Sequence, residues 1–294
     1  MSAYVIYLVV LALQLAMLAQ ASDALGGHGG RVGVSSVLFA TFGGYGYAFA
    51  TVVAGVDPAT AILLTTLGSL AIGVPLGLLL LRLREDDYLL GTLAAQLGAV
   101  ELINNLPLLG GPLGIRSVPG FGSSLWGGLL VVVLAAAIGG FVLFRMLGRP
   151  NRLRESLHWL RDDAPSAFAA GISQRAVWIR IVAAQVAISA AVGMSIVIVQ
   201  GYASPTTFGL SLSIAFLTAI YLGGTGASPL AMYLGAALLV ALGEFVRSLD
   251  LPANWIGPFQ QIVMASLLIA VLALRGRGLM GPKIEVGPSA SRLE

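Results

Sequence analysis

Stretches of about twenty apolar residues recur from one end of this sequence to the other, and nothing else constrains its fold as tightly. A helix rises roughly 1.5 Å per residue, so each stretch can cross a hydrocarbon layer of roughly 30 Å. Composition agrees. Hydrophobic residues make up 57% of the 294 and charged residues only 10%, against roughly 25% charged in soluble domains. Mean hydropathy is +0.93. Too little polar surface exists to face water, and the chain reads as an all-α integral membrane protein. It forms a polytopic helical bundle in one transmembrane domain, 1–294, with lipid as its surroundings.

The spacing predicts about nine spans: 3–20, 34–54, 58–81, 87–108, 124–147, 176–200, 207–222, 229–248 and 258–274. Three starts share a punctuation, Asp57-Pro58, Ser228-Pro229 and Gly257-Pro258. Proline suits a first helical position, because its missing N–H had no partner there. No Lys or Arg precedes residues 4–19, which read as a retained helix and not a cleaved signal peptide. Arginine placement orients the bundle. Arg82, Arg84, Arg145, Arg149, Arg152, Arg154, Arg161 and Arg175, with Arg275, Arg277 and Lys283, fall on one side; Arg116 and Arg247 fall on the other. The positive-inside bias makes the first side cytoplasmic, with the N-terminus outside. A net charge of +3 gives no support for nucleic-acid binding.

Glycine clusters at Gly26–Gly33, Gly43–Gly46 and Gly223–Gly226 fit close helix packing first, and are also compatible with interruptions of helices where backbone lines a cavity or is buried in protein. Between the fifth and sixth spans lies a charged connection, about 148–175. Inside it Asp162, Asp163, Pro165, Ala167, Phe168, Ala170 and Gly171 have the grammar of a separate short helix: an acidic cap, proline in the first turn, a small apolar body and a glycine stop. Its exposed face is expected to be Ala167, Phe168 and Ala170. A docking knob for a soluble partner and an ordinary solvated helix fit this pattern equally.

Glu101, with Asn104 and Asn105 one turn on, stands in the fourth span. A carboxylate in an apolar span usually faces a cavity or a partner, so these residues, with Gln96, are the candidate solute path; a helix end nearer the headgroups with a solvated Glu101 is the other reading. Glu244 and Arg247, three apart, are expected to form a local pair. His28 and His158 lack companions at ligand spacing, so no metal is expected, and without cysteine there are no disulfides. No catalytic constellation and no G-x-x-x-x-G-K-[S/T] loop is present, so the chain is not expected to be an enzyme, to carry a cofactor or to bind nucleotide itself.

Three ordered segments carry a resemblance: "LRDDAPSAFAAGIS" (160–173), "TLAAQLGAVELINNLPLLGGPLGI" (92–115), and the long run from Tyr202 to Arg247 with its Ser-Pro-x-x-Phe, Ser-Ile and Gly-Gly-x-Gly elements. The segment "RGRGLMGP" (275–282) fits too. Together they resemble ABC importer permeases of the branched-chain amino acid and urea uptake class. The resemblance implies a multi-pass protein of the bacterial inner membrane that forms half of a translocation path. It also implies two ATP-binding subunits, a second and non-identical permease, and an extracytoplasmic solute-binding protein. The segment at 160–173 then becomes the coupling helix. Two departures stand out: Gln96 or Leu97, and Ala215, occupy positions where relatives often carry glutamate. An ATPase-independent secondary transporter or channel is the alternative.

Overall fold

A computed structural model describes residues 3–120, 138–140, 142–143, 145–146, 152–226, 229–249 and 252–274. Ten helices are described: α1 (Ala3–Gly29), α2 (Ser35–Ala48), α3 (Pro58–Leu80), α4 (Glu85–Asn105), α5 (Arg152–Asp162), α6 (Ala164–Ala169), α7 (Gln174–Gln200), α8 (Leu210–Gly223), α9 (Pro229–Arg247) and α10 (Ala253–Leu274). A turn of π-helix, Phe49–Val53, prolongs α2. Six helices, α1, α2 with its π turn, α3, α7, α9 and α10, are long and apolar enough to cross a membrane. α4 and α8 occupy predicted spans but fall outside that set, α8 because it has only 14 residues. Most of the predicted fifth span, 124–147, lies outside the described residues, as do Arg149, Arg275, Arg277 and Lys283.

Boundaries moved for identifiable reasons. α1 does not stop near residue 20 but runs on to Gly29, and the interruption falls only at Gly30–Val34. α10 begins at Ala253, five residues before the expected start, so Pro258 lies inside the helix. Only its own missing N–H and the carbonyl one turn back are affected, and a helix start tolerates that. At Asp57-Pro58 the expected start holds: the Asp57 carboxylate accepts the Ala59 N–H at 3.1 Å.

The centre of the bundle is α7 against α2. Two glycines allow their backbones to touch. A Cβ on Gly43 would lie 2.2 Å from the Ala190 carbonyl oxygen, and one on Gly193 only 1.8 Å from that of Ala40. Small residues serve membrane helices in this way because lipid gives no hydrophobic drive to helix association, so close packing must supply it. Gln185 adds polar glue, donating to the Ser35 and Ser36 hydroxyls at 3.0 and 2.9 Å. α3 lays a stripe on this pair: Ala61, Thr65, Ser69, Gly73 and Gly77, four apart, are buried. Leu63, Leu67, Ile72 and Leu79 on its other face are exposed.

Direction alternates from α1 to α4. Their ends gather into an arginine-rich end, holding Arg31, Arg82, Arg161 and Arg175, and an opposite end holding Arg116 and Arg247. At the arginine-rich end Arg31 donates to the carbonyls of Leu81 and Leu83 at 2.9 and 2.6 Å, a cation placed just past the C-terminal end of α3. At the opposite end β1 (Ile115–Arg116) pairs antiparallel with β2 (Tyr202–Ala203), tying the chain after α4 to the chain after α7.

Candidate functional site

The short helix α6 projects from the arginine-rich end. The Asp163 carboxylate accepts the Ser166 N–H at 3.2 Å and also the Ser166 hydroxyl. Those two donors, the hydroxyl first, hold the Asp163 pKa below the usual carboxylate range. Pro165 occupies the first turn. Gly171, at φ +78°, turns the chain out of the helix, and its N–H donates to the Phe168 carbonyl at 3.0 Å. The Ser173 hydroxyl then caps α7. Phe168 is 79% exposed, and Ala170 is exposed beside it. The expected face needs one correction: Ala167 is fully buried. A six-residue helix lying on other elements must turn one side inward, and position 167 is on that side. Asp162 ends α5.

α6 is anchored through α5. Leu157 is fully buried and Leu160 nearly so. The Arg161 guanidinium donates to the Gly27 carbonyl of α1 at 3.1 Å. His158 meets His28 edge to face, with ring centroids 5.5 Å apart, a contact across 130 residues that sequence spacing could not reveal. Among the described residues no three His, Cys, Asp or Glu side chains gather to hold a metal. Directly above, two of the glycine clusters meet. The Asp23 carboxylate, 7% exposed, accepts the Gly226 N–H at 2.7 Å. A Cβ on Gly27 would lie 2.3 Å from both partners of that bond. The helix α8 ends at Gly223, so this second cluster is an interruption held against α1. Sequence reading missed Asp23, although a lone acid inside an apolar run was the signal.

The proposed path residues divide. Glu101 lies in the last turn of α4, exposed, with its carboxylate accepting from Asn105 at 3.0 Å and Asn104 at 3.3 Å. These are bonds at helical spacing, and their donors offset an acid at the negative end of a helix. Gln96 sits apart, fully buried, donating to the Phe208 carbonyl and to the Thr41 hydroxyl, the latter at 3.2 Å. It fastens α2 and α4 to the chain entering α8. Glu244 and Arg247 are joined through Tyr4, whose hydroxyl donates to Glu244 and accepts from Arg247 at 3.4 Å.

Toward the end opposite the arginines, α1, α7, α8, α9 and α10 wall a cavity of about 380 Å³. Gln14, Gln200, Ser211, Glu244, Gln260 and Gln261 supply its polar groups; Leu15, Leu18, Ile196 and Leu239 supply much of its apolar wall. Ala215, one of the two departures from the resemblance, also lines it.

A cavity of mixed polar and apolar lining inside a bundle of membrane-length helices, with a capped helix held out at the arginine-rich end, defines a multi-pass helical membrane protein. Comparison with curated proteins gives the particular likeness. The chain is similar to the high-affinity branched-chain amino acid transport system permease protein LivM of Salmonella typhimurium, 28% identical over 285 residues covering 85% of this chain and 65% of the relative. It is also similar to LivM of Escherichia coli, 27% identical over the same extent. Both are permeases of the kind the sequence motifs resemble. The chain thus spans 65% of the length of the curated relatives it matches. No family model matches, and no solved structure matches.

Proposed function

We propose that this chain is a permease subunit of an ATP-driven importer of the bacterial inner membrane, forming half of a path for a small polar solute such as an amino acid, urea or an amide. The observation that carries this reading is the similarity over 85% of the chain to two relatives named as transport permeases. The subunit is non-catalytic. Two ATP-binding subunits supply the energy, an extracytoplasmic binding protein delivers the solute, and a second, non-identical permease completes the path. Glu101, Asn104 and Asn105 face out of the subunit, and that suits a path closed by a partner.

In this reading α6 is the coupling helix. Phe168 supplies the knob, Pro165 and Ala170 flank it, and Asp162, Asp163 and Gly171 set its start and stop. Ala167 fixes the helix to the bundle. Burying one phenylalanine contributes about 1.5–3 kcal/mol, or roughly tenfold to a hundredfold in association. Phe168→Asp is therefore expected to weaken co-purification with the ATP-binding subunits by about tenfold or more. It should also separate hydrolysis from uptake while the bundle still folds. Normal association and uptake in that variant would reduce α6 to a linker. Strong solute flux with no ATPase present would replace the whole reading by an ATPase-independent carrier.

A further inference from the structure

A groove of about 410 Å³ lies between α3 and α4 with α2 as its floor, apart from the cavity already described. Its rims, Leu64 and Ile72 on α3 and Leu102 on α4, are exposed, so it opens sideways toward the membrane. Two residues of its wall carry hydroxyls that nothing satisfies. Tyr45 of α2 and Thr65 of α3 are 4% and 6% exposed, and neither hydroxyl has a hydrogen-bond partner among the described residues. Thr65 breaks a local habit. Thr41, Thr51, Thr66 and Thr218 return their hydroxyls to the carbonyl four residues back, at 2.7–2.9 Å, and Thr65 does not. A buried hydroxyl left this way is costly, the more so where no water can replace the partner.

Whatever fills the groove must bring a polar group to that depth. Tyr45 and Thr65 lie roughly 10–12 Å along their helices from the nearer end, well inside the hydrocarbon. A lipid keeps its polar groups at the surface, so its chains would leave both hydroxyls unpaired. The glycines point to a helix instead. Gly43, Gly77, Gly193 and Gly235 each lie against another helix, whereas Gly68 in the groove wall and Gly98 on α4 meet nothing within 4 Å. Glycine faces of this kind let a neighbouring backbone approach closely. On the same helix as Gly98, and on the same face, Glu101 and Asn105 are exposed, and hydrocarbon satisfies neither. The outward side chains of α9 and α10, by contrast, include Leu234, Leu238, Ile262 and Ile269, which suit lipid. Gly139, in the fifth expected span, lies against Met17 of α1 and Ile188 of α7, where an added Cβ would be 3.3 Å from each.

Resting on the reading of this chain as an importer permease, we propose that the α3–α4 groove is the docking surface for the second permease, which seats one membrane-spanning helix in it. That helix is apolar along most of its length, to match the groove wall, and carries a hydrogen-bonding side chain at the depth of Tyr45 and Thr65. Gly68 and Gly98 set how closely its backbone approaches. The same contact takes Glu101 and Asn105 out of lipid and leaves them at the boundary between the two subunits. α9 and α10 then face the membrane.

The chain has no cysteine, so single cysteines report one position each. Leu102→Cys and Ile72→Cys on the groove rims, with Leu238→Cys and Ile269→Cys on α9 and α10 as controls, are labelled with benzophenone maleimide and illuminated in the full assembly with the partner permease and ATP-binding subunits. Adducts to the partner permease are expected from both rim positions and from neither control. Rim adducts only to lipid, to a second copy or within this chain overturn the proposal, as do partner adducts from the controls alone. Gly98→Leu extends into open space, so the chain should still fold while co-purification with the partner permease falls about tenfold or more. Thr65→Val should weaken that association about fivefold, with Thr65→Ser close to wild type. If nothing meets the hydroxyl, Thr65→Val instead stabilises the chain and leaves association unchanged, which overturns the proposal. A complex that assembles with ATP-binding subunits but cross-links through another face overturns this surface and leaves the permease reading standing. Absence of any assembly with ATP-binding subunits overturns that reading instead.

Discussion

At the residue scale, Asp23 is the acid whose placement has the strongest consequence. Its bond to the Gly226 N–H joins α1 to the α8–α9 break, and Arg161 ties the same turn of α1 to α5. Replacing Asp23 with Leu leaves a buried N–H unpaired, a loss of about 1–3 kcal/mol. Asn keeps an acceptor in the same place. Asp23→Leu is therefore expected to lower the thermal stability of the purified assembly and to reduce solute carried per ATP, with Asp23→Asn close to wild type. Equal behaviour of the two variants would mean the bond is incidental. Glu101 offers a second contrast. Glu101→Gln keeps shape and removes charge, so uptake should fall by about tenfold with expression and assembly normal. Unchanged uptake, or loss of folded protein alone, would remove Glu101 from the path.

Helices and their contacts set the next scale. The α2–α7 contact depends on two positions without a side chain, and Gly193→Val would drive atoms into the Ala40 carbonyl. Overpacking of this kind costs about 1–3 kcal/mol or more, and a sharp loss of the monodisperse species in size-exclusion chromatography is expected. The cap of α6 responds to pH in a definite sense. Hydrogen bonds depress the Asp163 pKa, so the stability they contribute is present above the ordinary carboxylate pKa. It is lost only as pH falls through the lowered value of the folded state. Association with the ATP-binding subunits should thus show no Asp163-dependent change between about pH 5 and 8. Asp163→Ala should lose the cap throughout that range, and pull-downs at several pH values would decide it.

For the whole molecule, much of the surface is apolar: α10 and the outer faces of α3 and α9 leave large side chains exposed. Purified alone, the chain is expected to be poorly homogeneous and to carry no specific flux, and addition of the partner permease should correct the first; flux by the chain alone in liposomes would refute the shared path. The sequence by itself determined six membrane-length helices among the nine expected spans, because apolar run length is a local quantity. It determined the starts at Asp57 and Asp163 for the same reason, since a cap is satisfied within three residues. It also placed Glu101 with its two asparagines, which needs only the helical repeat. Tertiary packing decided the rest. Ala167 turned inward because α6 lies on α5, and the length of α1 past its glycines depended on Gly226, 203 residues away from Asp23. The four glutamines of the cavity are unremarkable in sequence, each an isolated polar residue or pair in an apolar run. Only the crossing of helices remote in the chain brings their amides to one space, and no local pattern encodes which faces those crossings bring together.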